Sequence, residues 1–207
     1  MSYSEATFSI LKQRYGIQQD YQSLFPTDLP LRQPSERLIA DIADGLQMQL
    51  VSEKAKSEFL IAPIVRELQR NNPNVTFFSG VSLNIAGEKW LNGTPDFMVS
   101  AKPRRADVEA PIFCLVEAKN GVIEEGFAQC SAEMYAAQLF NEQNQDFFPN
   151  IYGVVTNAFQ WVFLRLEHKT VYIDTQRYFL NELHLLYSVL QYVIVHSSQK
   201  SNNNKIP

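Results

Sequence analysis

The chain has 207 residues, of which 45% are hydrophobic and 19% are charged. This composition excludes a wholly disordered chain, because it supplies enough apolar side chains to bury a core, and the length fits one domain with a terminal extension. The 18 Lys and Arg residues against 22 Asp and Glu give a formal net charge of −4, which excludes proteins that bind nucleic acid by bulk positive charge. Any contact with nucleic acid therefore requires a local basic patch.

Cysteine usage and hydropathy exclude several further classes. Cys114 and Cys130 have no CxxC or His/Cys partner at metal-ligand spacing, so neither a zinc site nor a disulfide framework is expected. The first ten residues do not form a secretory signal, and the most apolar stretch, residues 185–195, has about half the length that spans a bilayer. We expect a cytoplasmic protein without a membrane segment.

In chain order, residues 1–50 are predicted to form a helical extension that packs on the core. Helical spacing of apolar residues covers residues 5–25 and again residues 36–50, where Ser35 is the predicted N-cap. Prolines separate the two helices. Because no chemistry-bearing motif occurs in this part, we expect its role to be packing.

Residues 51–196 are predicted to form the main domain, and residues 197–207 a disordered tail. Helices are predicted over residues 52–70, 123–144 and 178–195. Strands are predicted over residues 75–78, 80–85, 94–100, 111–119, 151–156, 161–166 and 170–173. Asn92-Gly93 is typical of a tight hairpin between the second and third of these strands. The order of elements predicts an α/β fold, with a central mixed sheet flanked by helices.

Charged residues stand at the end of one otherwise apolar strand. Residues 112–119 are apolar until they reach Glu117 and Lys119, and charges are rarely placed in a buried strand without a purpose. Strand alternation predicts that both charges share a face with Phe113 and Leu115. The two charged side chains can therefore pair or share a ligand.

A third charge, Asp96, is the only one in the predicted strand over residues 94–100. Two carboxylates that meet at strand ends repel each other unless they are neutralised, and Mg²⁺ does this with a few carboxylate oxygens and several waters. A neighbouring lysine can orient or deprotonate a water and stabilise charge on phosphorus. Asp96, Glu117 and Lys119 thus predict phosphodiester hydrolysis, with a buried structural ion pair as the alternative.

The predicted helix over residues 52–70 carries two candidate carboxylates. Glu58 heads an apolar stripe at helical spacing, so we expect it to be buried and functional. That stripe consists of Ile61, Ala62, Val65 and Leu68. Glu53 falls on the more polar face and is expected to be an ordinary first-turn glutamate.

Two further groups stay open between a functional and a structural interpretation. Gln129 and Glu133 lie four residues apart on the helix over residues 123–144, where Gln129 either binds a water or phosphate or belongs to an exposed polar pair. Lys102, Arg104 and Arg105 lie in the loop between the charged strands. This loop either contacts a nucleic-acid backbone or is solvated surface.

Taken together, these motifs resemble those of the PD-(D/E)xK nuclease superfamily, which has the restriction-endonuclease-like fold. Pro95-Asp96 is similar to the PD element and Glu117-Ala118-Lys119 to the ExK element. Residues 57–63, 116–120 and 129–138 resemble an uncharacterised bacterial family, common in cyanobacteria, within that superfamily. The core order of helix, three strands, helix and strand matches as well.

The resemblance covers about residues 52–195 and implies a Mg²⁺-dependent nuclease, with Mn²⁺ as a substitute ion. The metal ligands that it implies are Asp96, Glu117, the Ala118 carbonyl and Glu58. It makes Lys119 the catalytic lysine and Gln129 a further catalytic residue. DNA rather than RNA is the expected partner, and a homodimer would join two basic patches. The alternative is a catalytically silent member that binds nucleic acid or a protein.

Overall fold

A computed structural model of the chain describes residues 2–200, and the side chains of residues 2–197. In this part, eight strands form one mixed sheet with helices on its faces, which confirms the predicted α/β class. The strands are β1 (Gln18–Gln22), β2 (Thr76–Ser79), β3 (Phe97–Ser100), β4 (Ile112–Ala118), β5 (Asn150–Thr156), β6 (Gln160–Glu167), β7 (Thr170–Asp174) and β8 (Tyr178–Phe179). The helices are α1 (Phe8–Tyr15), α2 (Glu36–Gly45), α3 (Glu53–Lys56), α4 (Ala62–Asn71), α5 (Phe127–Gln143) and α6 (Leu183–Lys200).

The sheet order decides which strand ends meet. The order is β1-β7-β6-β5-β4-β3-β2, and β8 pairs with β6. The pairs β4–β5 and β1–β7 are parallel, and the others are antiparallel. Helix α5 crosses over between the parallel strands β4 and β5, as such a connection requires. The carboxyl ends of β4 and β5 therefore share one edge of the sheet with the amino end of β3.

Neither cysteine forms a disulfide, and both are buried. Cys114 lies in β4 and Cys130 in α5. Among the described residues, no helix combines the length and the apolar character that crossing a membrane requires. The predicted tail begins too early, because α6 continues to Lys200, and its remaining residues, 201–207, lie outside the described part.

The N-terminal part is helical but also contributes a strand that the sequence did not predict. Gly16, with φ of 72°, ends α1 and turns the chain, and β1 then pairs in parallel with β7 from Gln18 beside Thr170 to Gln22 beside Asp174. This edge strand is mostly exposed. Its sequence therefore lacks the alternation of apolar and polar residues that predicts a strand. Gly16 after Tyr15 is the sequence signal for the helix end.

The predicted hairpin at Asn92-Gly93 is wrong. Residues 80–85 form no strand, and β3 pairs instead with β2, where Ser79 lies beside Phe97. The intervening loop bonds to the chain start, because the Tyr3 hydroxyl donates to the Leu83 carbonyl at 2.5 Å. A Cβ at Gly93 would lie 2.6 Å from Tyr3 Cδ2. The glycine therefore permits close packing rather than a two-residue turn.

The predicted continuous helix over residues 52–70 is interrupted by a π-helical segment, Ser57–Ile61, between α3 and α4. The Ala62 amide donates to the Ser57 carbonyl, five residues earlier. The wider turn accommodates one extra residue, which rotates the residues before it by about 100° relative to an uninterrupted α-helix. Side-chain faces cannot be extrapolated across this segment.

Helix α2 packs on the π-helical segment at Gly45, where a Cβ would lie 2.3 Å from the Phe59 carbonyl oxygen. Gly45→Ala is expected to lower the free energy of unfolding by about 1–3 kcal/mol, because a backbone atom cannot move aside as a flexible side chain can. Urea unfolding measures this. Gly121→Ala is the control, since no atom lies within 4 Å of its Cβ position, and an equal loss in both variants would contradict the packing argument.

Candidate active site

Asp96, Glu117 and Lys119 meet at one edge of the sheet. Asp96 directly precedes β3, and the register that pairs Phe97 with Val116 places it opposite the end of β4. Its Oδ2 atom accepts a hydrogen bond of 2.7 Å from the Ala118 amide. The Lys119 ammonium donates to Glu117 Oε1 at 2.7 Å. The structure thus brings together the three charges that the sequence singled out.

The face of Glu117 is set by an irregularity in β4. In the pairing of β3 with β4, Val99 lies opposite Cys114 and Ser100 lies opposite Ile112, so Phe113 is an extra residue of β4. Phe113 packs on one face of the sheet and Leu115 on the other. The predicted common face of Phe113 and Glu117 is therefore wrong, since a bulge shifts the alternation. Glu117 lies on the same face as Leu115, where α5 packs, and only 4% of its surface is exposed.

Gln129, in the first turn of α5, joins the charged residues in one network. Its Oε1 atom accepts from the Lys119 ammonium at 2.7 Å. Its amide nitrogen donates to Glu117 Oε1 at 2.5 Å and to Glu133 Oε1 at 3.1 Å. Gln129 and Glu133 therefore belong to a partly buried network and do not form an exposed polar pair.

Glu133 is the site residue that sequence reasoning did not assign. It is fully buried, and its Oε2 atom has no hydrogen-bond partner among the described residues, so the interpretation as an exposed residue is wrong. Glu133 and Glu117 are linked through the Gln129 amide, which donates to both carboxyl groups. The sequence signal that could have identified Glu133 is that it is an isolated charge among the apolar residues of α5.

Burial dominates the titration of the carboxyl groups. It raises the pKa of Glu117 to about 7, where the Lys119 hydrogen bond opposes the shift and the Asp96 charge adds to it. Burial, then the charge of Glu117, raises the pKa of Glu133 well above its ordinary value. Burial also raises the pKa of Asp96, against the Ala118 amide and Lys119. The site favours protonated carboxyl groups unless further positive charge enters it.

Lys119 is held as a cation. Burial lowers its pKa, but Glu117, Glu53 and Glu133 raise it by more, so the net shift is upward. A protonated ammonium donates hydrogen bonds and does not accept a proton. The geometry therefore supports Lys119 as a donor that stabilises negative charge, and not as a base that deprotonates water.

The expected burial of Glu58 is wrong. Its side chain is 57% exposed and lies 3.7 Å from the Lys54 ammonium, in a surface cavity beside α2. The π-helical segment causes this, because it turns Glu58 away from the stripe that begins at Ile61. The charge of Glu53, an exposed residue of α3, instead contributes to the raised pKa of Lys119.

The carboxyl groups at the sheet edge fit a hard divalent cation. Asp96, Glu117 and Glu133 influence one another's pKa, and one lysine does not balance three carboxylates. No group of three or more His, Cys, Asp or Glu residues in the described part is arranged to hold a metal ion. Mg²⁺ commonly uses only one or two carboxylates, with waters completing its shell, and Asp96 and Glu117 supply such a pair. The Ala118 carbonyl as a ligand stays a prediction.

The loop with Lys102, Arg104 and Arg105 does not face this site. It joins the carboxyl end of β3 to the amino end of β4, which is the opposite edge of the sheet. Lys102 lies 4.0 Å from Asp146, and Arg105 lies 3.4 Å from Glu109. A nucleic-acid contact of this loop beside the carboxylates is therefore excluded by the topology.

Comparison of the chain with protein-family models gave no match, and neither did comparison with curated proteins. The resemblance to the PD-(D/E)xK superfamily therefore stays a prediction. What the chain does has to be inferred from the side chains at the sheet edge and their chemistry.

Proposed function

We propose that the chain is a Mg²⁺-dependent nuclease that hydrolyses phosphodiester bonds, with DNA as the preferred substrate. The observation that carries this proposal is the convergence of Asp96, Glu117 and Lys119 at one sheet edge, where Lys119 donates to Glu117 at 2.7 Å and Asp96 accepts from the amide of the intervening Ala118 at 2.7 Å. The expected location is the cytoplasm, and a homodimer is the expected assembly.

Each side chain has a distinct role in the proposed reaction. Asp96 and Glu117 would hold Mg²⁺ or Mn²⁺, which when bound supplies positive charge to the phosphate and activates water. An ammonium group has three donors, and Lys119 uses two of them on Glu117 and Gln129. The third remains for a phosphate oxygen, where negative charge builds in the transition state. Gln129 positions the ammonium and the Glu117 carboxylate.

The proposal is tested by incubating the purified protein with supercoiled, linear and single-stranded DNA and with RNA, in Mg²⁺, Mn²⁺ or EDTA. We expect cutting of DNA that requires the metal and falls to background in Asp96→Asn. Cutting that survives EDTA or the substitution would contradict the assigned site. A folded protein that cuts no substrate would favour the second candidate function.

That second candidate is a catalytically silent protein that binds nucleic acid or a protein partner. It is favoured by the closed network at Glu117, whose Oε1 atom already accepts from both Lys119 and Gln129. A gel-shift assay on the same substrates separates the two functions. Binding without cutting in any metal supports the silent protein, and cutting supports the nuclease.

The effect of the Glu53 charge on the pKa of Lys119 leads to a prediction about metal binding. Glu53→Gln is expected to weaken Mg²⁺ binding by up to about fivefold, because an exposed charge near the site is screened by solvent. Glu58→Gln on the same helix is the matched control and should leave binding unchanged, the reverse of the order that the sequence predicts. Isothermal titration calorimetry with Mg²⁺ measures both, and a larger loss in Glu58→Gln would restore Glu58 as the helix carboxylate.

A further inference from the structure

We propose that Glu133 is a positioning residue, which fixes the side chain of Gln129 and, through it, the ammonium group of Lys119. This inference rests on the proposed nuclease function and adds a residue to it. The three side chains lead from the interior to the surface, because Glu133 is fully buried and the Lys119 side chain is 21% exposed. Gln129 lies between them and is hydrogen-bonded to both.

The hydrogen bonds of Gln129 select one orientation of its side-chain amide. The amide nitrogen donates to Glu133 Oε1 at 3.1 Å and to Glu117 Oε1 at 2.5 Å, and the amide oxygen accepts from the Lys119 ammonium at 2.7 Å. An amide nitrogen has two N–H donors, so both are used. The reversed amide would lose its bonds to Lys119 and Glu117, because donor would face donor and acceptor would face acceptor. Gln129 therefore has no donor left for a phosphate or a metal-bound water, and it acts as a link.

Glu133 is the partner of Gln129 that does not depend on the metal. Glu117 is a proposed metal ligand, so its oxygens have to serve the metal as well as Lys119 and Gln129. Glu133 lies one turn after Gln129 on the same helix, α5, and residues four apart on a helix are neighbours. Because its side chain is fully buried, it has no solvent to turn towards. The bond to Glu133 therefore holds Gln129 when Glu117 binds a metal.

Holding the Lys119 ammonium in place affects the rate of the proposed reaction. A lysine side chain is long and flexible, and it loses rotamer freedom when its ammonium group is fixed. Lys119 donates to Glu117 and to Gln129, and Gln129 is the partner that stays in place when Glu117 binds a metal. Residues that support a metal site from outside its ligand shell typically change metal affinity or activity by about 10–100-fold. We expect an effect of this size from Glu133.

Cleavage kinetics of Glu133→Leu test this role. Leucine is similar in size but offers no acceptor to Gln129. At saturating Mg²⁺ we expect kcat to fall by about 10–100-fold and KM for DNA to stay within about twofold of the wild-type value. Gln129→Leu should cause a similar loss, and the double variant should be no slower than the slower single variant, because both changes remove one link. Losses that multiply in the double variant would overturn the proposal.

Two further variants separate the position of Glu133 from the mere loss of a carboxyl group on α5. Glu133→Gln keeps an oxygen that can accept from Gln129 and should restore most of the rate that Glu133→Leu loses. Glu142→Leu is the matched control, because Glu142 Oε1 accepts from the Gln138 amide at 2.9 Å, the same pair at the same spacing on an exposed part of α5. It should leave kcat unchanged. Equal losses in Glu142→Leu and Glu133→Leu, or no recovery in Glu133→Gln, would overturn the proposal.

Hydrogen exchange of the Gln129 side-chain amide, measured by NMR without metal, separates this inference from the nuclease function. We expect Glu133→Leu to speed this exchange by at least about tenfold, because a hydrogen bond that protects the amide is lost, and Glu133→Gln to change it little. Unchanged exchange in Glu133→Leu would overturn the role of Glu133 even if the wild-type protein cuts DNA. A wild-type protein that cuts no DNA would refute the nuclease, and the exchange rates would still decide whether Glu133 holds Gln129. If Glu133→Leu does not fold, Glu133→Asp, which is one methylene shorter, takes its place with the same expectations.

Discussion

Replacing Lys119 with methionine is expected to lower the rate of metal-dependent cleavage by about 10²–10⁴-fold, the range typical for loss of one group that stabilises a transition state. Methionine keeps the apolar stem but removes the ammonium that contacts Glu117 and Gln129. Mg²⁺ binding should not weaken, because removing a positive charge beside Asp96 and Glu117 makes the site more attractive to a cation. Cleavage rates at saturating Mg²⁺ and titration calorimetry measure the two effects separately.

Lys56→Met is the matched control for this prediction. Lys56 is the last residue of α3, and its ammonium donates to the Asn120 carbonyl at 2.9 Å and to the Asn120 side chain at 2.8 Å. We expect at most a small change in the cleavage rate. If both lysine variants lost activity equally, general positive charge at this edge, rather than the position of Lys119, would explain the activity.

The sequence identified the strand residues of the site because each is a charge that interrupts an apolar strand. Asp96, Glu117 and Lys119 share this signal, and the expectation that their two strands are neighbours was enough to place the three charges together. The same reasoning applies to Glu133, an isolated charge in the apolar stretch of α5. The sequence leaves the Gln129 and Glu133 pair open between a functional group and an exposed pair, because their spacing is also that of a solvated helix pair.

The features that the sequence did not predict depend on tertiary contacts or on a local change of period. Glu58 was misplaced because the π-helical segment changes the phase of the helix, and no residue in Ser57–Ile61 marks that change. The strand β1 is exposed and polar, so only its pairing with β7 defines it. Gly93 looked like a hairpin residue, and its contact with Tyr3, 90 residues earlier, became evident only in the fold.

Replacing Glu133 with glutamine is expected to raise the free energy of unfolding at pH 8 by about 1–3 kcal/mol, the cost of an unsatisfied buried polar group, and to change it little at pH 5. Burial raises the pKa of Glu133 in the folded protein well above the value of 4.5 expected for an exposed glutamate. A carboxyl with a raised folded-state pKa contributes stability below its unfolded pKa, and this is lost as the pH rises towards the folded pKa. Glutamine imitates the protonated side chain at every pH.

Urea unfolding in EDTA at pH 5 and pH 8 measures this effect without bound metal. The wild-type protein should lose stability between these two pH values, since Glu117, with a pKa raised to about 7, changes in the same direction as Glu133. Glu142→Gln, at an exposed position of α5, is the control and should shift stability equally at both pH values. If Glu133→Gln destabilised the protein at both, the folded protein would stabilise the Glu133 carboxylate without any bound metal, which would contradict its raised pKa. Because the charge of Glu117 raises the pKa of Glu133, the variant also shows how strongly the titrations of the two carboxyl groups depend on each other.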